Sequence, residues 1–169
     1  AILTLPNPQS TITALCVLSL NLNGEEKTVI AMSHKTSFTQ NGTFCLYSIA
    51  DKKIIAETEV GINPQMIKPF RNLLGEVEFA LLCEGTFGGN NSKLYRLLPT
   101  PSSALPFKTE FYDLGDTGNF FIIQDQLALT VMNGSHEIIP FNLATNTVLP
   151  GYPTGTTGYD GPREIVLDT

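Results

Sequence analysis

Short apolar runs alternate with clusters of Gly, Asn, Pro and Asp along the whole chain. The runs include ALCVLSL, KTVIAMS, TFCLYSI, VEFALLC, SKLYRLL, QLALTVM and HEIIPFN. Runs of this length, rich in branched and aromatic residues and bounded by turn formers, predict strands. No window of about 12 residues or more carries a helical stripe. Pro64, Pro69, Pro99, Pro101 and Pro106 interrupt most candidates for one. The pattern therefore predicts an all-β chain.

The turn residues recur in a fixed order. Asn41-Gly42, Gly88-Gly89-Asn90-Asn91 and Asn133-Gly134 each separate two apolar runs, and such pairs suit tight hairpins. Asn41 and Asn133 lie 92 positions apart, two periods of 46. A second family follows one run later, at 50–53, 99–102 and 144–147, and a third closes each unit at 60–61, 114–115 and 154–155. A period of 40–56 residues with four strands per unit predicts β-propeller blades, whereas a β-sandwich does not require three turn families in order. The expected blades span about 11–61, 62–115 and 116–155. Their strands are expected near 12–20, 27–33, 43–49 and 53–60, then 66–70, 77–83, 92–98 and 107–114, then 119–124, 126–132, 136–141 and 147–151. Residues 1–10 and 156–169 belong to incomplete blades, with an outer strand at 1–5 and an inner strand at 163–168.

The third unit carries a more specific pattern. Asp125-Gln126-Leu127-Ala128-Leu129-Thr130-Val131 precedes Asn133-Gly134, and Ile138-Ile139-Pro140-Phe141-Asn142-Leu143-Ala144-Thr145-Asn146-Thr147-Val148 precedes Gly161-Pro162. This resembles the blade repeat of surface-layer-type (YVTN-repeat) β-propellers. That repeat runs from a Val-Thr-Asn-like strand end, through "hydrophobic-x-Asp-hydrophobic-x-Thr-x-x-Val", to Gly-x-x-Pro. The stretch from Phe44 to Ile55 follows it loosely, and the second unit departs at its Pro-rich 99–106. Val131-Met132-Asn133 stands in place of Val-Thr-Asn, and Asn142 in place of Asp. The resemblance implies an extracytoplasmic or cell-surface protein with a binding or cell-envelope role, a cytoplasmic location being the alternative. Propellers usually have at least four blades. The expected partners therefore include the remaining blades of the same propeller or a second copy.

Charge changes the picture next. Only 15% of the 169 residues are charged, against about 25% in a typical soluble domain. The formal net charge is -6, which argues against nucleic acid or an anionic membrane surface as partner. The apolar stretch at 14–20 is too short for a bilayer span of about 20 residues and lacks a basic flank, the first Lys being Lys27. No membrane insertion is expected in this segment. Cys16, Cys45 and Cys83 sit in apolar runs without metal-ligand spacing, so buried thiols are expected; one disulfide plus one free thiol remains an alternative. Three Asn-x-Ser/Thr sequons, at Asn41, Asn90 and Asn133, fall on expected turns.

Candidate chemistry is sparse. His34 and His136 stand beside expected turns, each preceded by Ser, but adjacency in sequence does not make a triad. Gly85–Gly89 lacks the Lys-Ser/Thr of a phosphate loop. Glu57/Glu59 and Glu76/Glu78 are read as solvated acids on outer strands, and Asp113/Asp116 lacks calcium-loop spacing. No cofactor and no metal is implied. If a ligand surface exists, it is one rim built from the loops between second and third strands and from the links between blades. Its candidate residues are His34, Gln40, Asn90, Asn91, His136, Asp160 and Arg163. The expectation is a noncatalytic binding or envelope-associated propeller with a protein or glycan ligand. The alternatives are a propeller hydrolase or lactonase with an axial metal, and an intracellular scaffold.

Overall fold

A computed structural model describes residues 8–100, 106–155 and 162–166. Alternating apolar and polar positions there form thirteen strands and, among the described residues, no helix. The first sheet holds β1 (Thr11–Leu22), β2 (Glu25–Lys35), β3 (Asn41–Ser48) and β4 (Lys53–Ile62). The second holds β5 (Pro64–Arg71), β6 (Val77–Cys83), β7 (Ser92–Pro99) and β8 (Phe107–Gly115). The third holds β9 (Gly118–Gln124), β10 (Leu127–Met132), β11 (Glu137–Asn142) and two short pieces, β12 (Thr147–Val148) and β13 (Tyr152–Pro153). Each sheet is an antiparallel meander in chain order, except that β13 pairs with β11 rather than with β12.

The sheets stack face to face, which explains the low charge. β6 shows the reason most directly: Phe79, Leu81 and Cys83 pack toward the first sheet, while Ala80 and Leu82 pack toward the third. A strand buried on both faces reads as a continuous apolar run, as VEFALLC does. Phe44 anchors the first interface, with ring centroids 5.2 Å from those of Phe79 and of Phe107. Tyr112 and Phe141 meet at 4.4 Å across the second. Between successive sheets the densest contacts involve the first strands, β1 against β5 and β5 against β9.

Several expectations need correction. Asn41-Gly42 is not a turn but the start of β3, paired with β4. A Cβ at Gly42 would lie 2.6 Å from the Pro64 ring, so this glycine serves a close approach between strands. The two-residue Asn-Gly hairpin is instead Asn23-Gly24, where both residues have positive φ (57° and 82°), the type I′ geometry. Asn133-Gly134 does lie in a turn, but its left-handed residue is His136 (φ 54°). The fourth strand of the third sheet, expected over 147–151, is broken into β12 and β13. Pro150 lacks the N–H that would continue the ladder. The inner strand expected at 163–168 is absent over 162–166, where no neighbouring strand pairs it. The outer strand expected at 1–5 lies outside the described residues, as do 167 and 168. Glu78 is no solvated outer acid; it is buried on β6 and ion-paired with Arg96.

Candidate functional site

The meander places the loops between second and third strands at one end of every sheet. The single-residue or two-residue links between sheets fall at the same end. Asn63 links β4 to β5, and Asp116-Thr117 links β8 to β9. Asn63 and Thr117 are buried and share left-handed φ values of 55° and 52°. Each carbonyl accepts from the next sheet's loop: Glu84 N–H donates to Asn63 O at 2.9 Å, and Asn133 N–H to Thr117 O at 2.8 Å. The rim is therefore built by repetition of one crossover.

A polar network fastens the first two sheets along this rim. The Lys35 ammonium donates to Asn63 Oδ1, and Asn63 Nδ2 donates to the Glu84 carboxylate. Gln65 Nε2 donates to the same carboxylate at 2.7 Å. Burial pulls the Lys35 ammonium below its ordinary pKa, with the Glu84 charge opposing. Further along, Gly88 N–H donates to Asp116 Oδ1 at 2.9 Å, and Asp116 N–H donates to Ser135 Oγ at 2.9 Å. Loops 84–91 and 133–136 are thus tied through the link between them.

Two residues that sequence reasoning passed over stand out on this rim. Phe38 is 71% exposed at the tip of the first sheet's loop, and Phe87 is 82% exposed at the tip of the second's. Both occur in a Ser/Thr-Phe-x-x-Asn stretch, Ser37–Asn41 and Thr86–Asn90, 49 positions apart. That internal match was the available signal, and aligning the loops rather than the turn dipeptides finds it. Lys35 Nζ lies 3.8 Å from the Phe38 ring centroid, a cation–π contact that steadies one ring face. The Phe87 loop is held by Gly89 N–H on Thr86 O (2.8 Å) and Thr86 N–H on Asn91 Oδ1 (2.8 Å).

The other candidates separate. Gln40 and Asn90 are exposed on the same loops as the two phenylalanines. Asn91 spends its carbonyl oxygen on bracing its own loop. His34 is not a turn residue: it lies in β2, is 8% exposed, and its Nε2 has no partner. It alternates with the paired chain in register, so its backbone sits opposite Thr43 while the ring stays out of water. Ser33 and His34 are successive strand residues on opposite faces, and Ser33 Oγ bonds Thr13 Oγ1 at 2.9 Å. Ser135 is engaged by Asp116, so neither Ser–His neighbour forms a dyad. His136 is half-buried in its turn, Arg163 is exposed, and Asp160 lies outside the described residues.

Among the described residues no three His, Cys, Asp or Glu side chains gather closely enough to hold a metal ion. Asp113 pairs with Lys93 at 2.7 Å while Asp116 serves the rim, so the two do not share a site. All three cysteines are free thiols, and burial pushes those of Cys45 and Cys83 up to about 12. The opposite edge has its own buried polar cluster. Arg96 forks onto Glu78 with contacts of 2.6 to 2.9 Å, and a cavity of about 300 Å³ opens beside this pair.

No family model matches the chain, and no curated protein does. Among solved structures it is similar to a protein of unknown function from Bacteroides caccae. The two are 14% identical, with a TM-score of 0.49, over 87% of this chain and 47% of that one. The chain thus spans about half the length of that protein.

Proposed function

We propose that the three sheets are consecutive blades of a β-propeller, and that the protein is a noncatalytic binding module whose protein or glycan partner docks on the loop rim. The close approach of successive first strands and the repeated link residue of positive φ, Asn63 and Thr117, support the propeller arrangement. The observation that carries the binding reading is the pair of equivalent, braced loops that each hold a phenylalanine in water. Aromatic side chains held on braced loops supply contact area at low entropy cost. The envelope association implied by the surface-layer resemblance belongs to the same proposal, as does the packing of further blades or a second copy beside these three.

The test is surface plasmon resonance of the protein against two panels, neutral polysaccharides and purified envelope proteins. At least one ligand is expected to lose tenfold or more in affinity when Phe38→Ala and Phe87→Ala are combined, with the thermal midpoint unchanged. A full set of ligands indifferent to the double substitution, or no ligand in either panel, overturns the proposal.

A further inference from the structure

We infer that the ligand of this rim is a neutral glycan, gripped by Phe38 and Phe87 as two stacking platforms; the inference rests on the rim reading above and narrows it. Charge is the first argument. Residues 36–42, 85–92 and 133–136 contain no Asp, Glu, Lys or Arg, although the chain as a whole carries a net charge of -6. Four ionic groups at the base of the rim are engaged within the protein, the exposed Glu59 accepting from Asn41 Nδ2 at 2.9 Å. Lys35 is engaged by Asn63 and the Phe38 ring, Glu84 by Asn63 and Gln65, and Asp116 by Gly88 and Thr117. What these three loops turn outward is two aromatic rings with the hydroxyl of Thr39 and the amides of Gln40 and Asn90, the half-buried Ser37 Oγ being paired with Thr39 Oγ1 at 3.1 Å.

A pyranose ring has a matching division. One face presents C–H bonds that lie flat on an aromatic ring, and its edge presents hydroxyls that donate to and accept from amides and alcohols. An acidic polymer would be repelled by the protein's net charge. A protein partner fits less well, because a standard interface takes roughly 20–30 residues a side and uses charge to steer docking. The three loops together hold fewer residues than that and offer no charge. Preorganisation favours binding as well: the Phe87 loop is fastened at Thr86, Gly88 and Gly89, so little loop entropy remains to be lost.

The experiment is isothermal titration with cellohexaose, laminarihexaose and mannohexaose as neutral probes and a hexagalacturonate as acidic probe. At least one neutral hexaose is expected to bind, and Phe38→Ala and Phe87→Ala each to weaken it about tenfold. Phe38→Tyr, which keeps the ring, should retain affinity, as should Leu74→Ser on the opposite edge. Circular dichroism confirms that each variant is folded. If no neutral hexaose binds while an envelope protein still depends on both phenylalanines, the glycan inference falls and the rim reading stands. Tighter binding of the acidic hexaose also overturns the inference. Hexaose binding that ignores both phenylalanines overturns the inference and the rim reading together.

Discussion

His34 shows how one residue's environment becomes a property of the whole protein. It is buried near the end of β2 with Nε2 unpartnered, and burial lowers its pKa below the ordinary 6.5, against a weaker upward pull from the Glu57 carboxylate. A neutral imidazole inside and an ordinary one outside means that the unfolded chain takes up the proton first. Stability is therefore full above pH 6.5, falls as the pH drops from 6.5 toward the depressed folded value, and levels off below it. Carboxylates such as Asp51, held below its usual pKa by the Ser48 hydroxyl and Lys27, act at lower pH. Either His34→Phe or His34→Gln should flatten the decline between pH 6.5 and pH 5 in urea denaturation. An unchanged slope in both variants would rule out this account. The sequence placed His34 beside a turn because Asn41-Gly42 read as a hairpin. The strand in fact runs on to Lys35, and the glycine is there to clear Pro64.

At the scale of elements, the link between the second and third sheets runs through Arg96 on β7. Its guanidinium forks onto Glu78 of β6, and it also donates to Asn146 in the turn before β12. Asn72 adds a donor to Glu78 at 2.8 Å, and Glu110 takes Asn146 at 2.9 Å. Both partners of the central pair are nearly buried, so removing one leaves an uncompensated charge between sheets. Glu78→Ala or Arg96→Ala should each cost about 3–5 kcal/mol in chemical denaturation, while Glu78→Leu with Arg96→Met should recover much of the loss. If the two single losses simply add in the double variant, the pair is not coupled. Eleven of the twelve strands expected between 12 and 151 are found, the last surviving only as β12, because period-two alternation and turn residues are local signals. The register that sets Glu78 diagonally across from Arg96 is not local. Nor is the shared edge that carries Phe38 and Phe87, although the repeated Ser/Thr-Phe-x-x-Asn stretch marks their loops as equivalent.

At the scale of the molecule, low charge and stacking explain each other and expose one imbalance. The second sheet is covered on both faces, yet the outer face of the first sheet is not. Along β1, Cys16 and Leu18 pack against the second sheet, while the alternate residues Leu15 and Val17 are 60% and 59% exposed. An apolar face on a sheet is a site where another sheet packs, and leaving it wet favours association. In the propeller reading that position belongs to a neighbouring blade or to a second copy. The 169-residue chain alone is therefore expected to sediment above its monomer mass of 18.4 kDa at micromolar concentration. Leu15→Lys combined with Val17→Lys should return it to the monomer, because two charges would have to be desolvated at the contact. Both positions already face solvent, so the variant should keep its denaturation midpoint. A wild-type chain that stays at 18.4 kDa would show that this face needs no cover, and the case for a neighbouring blade on it would fail.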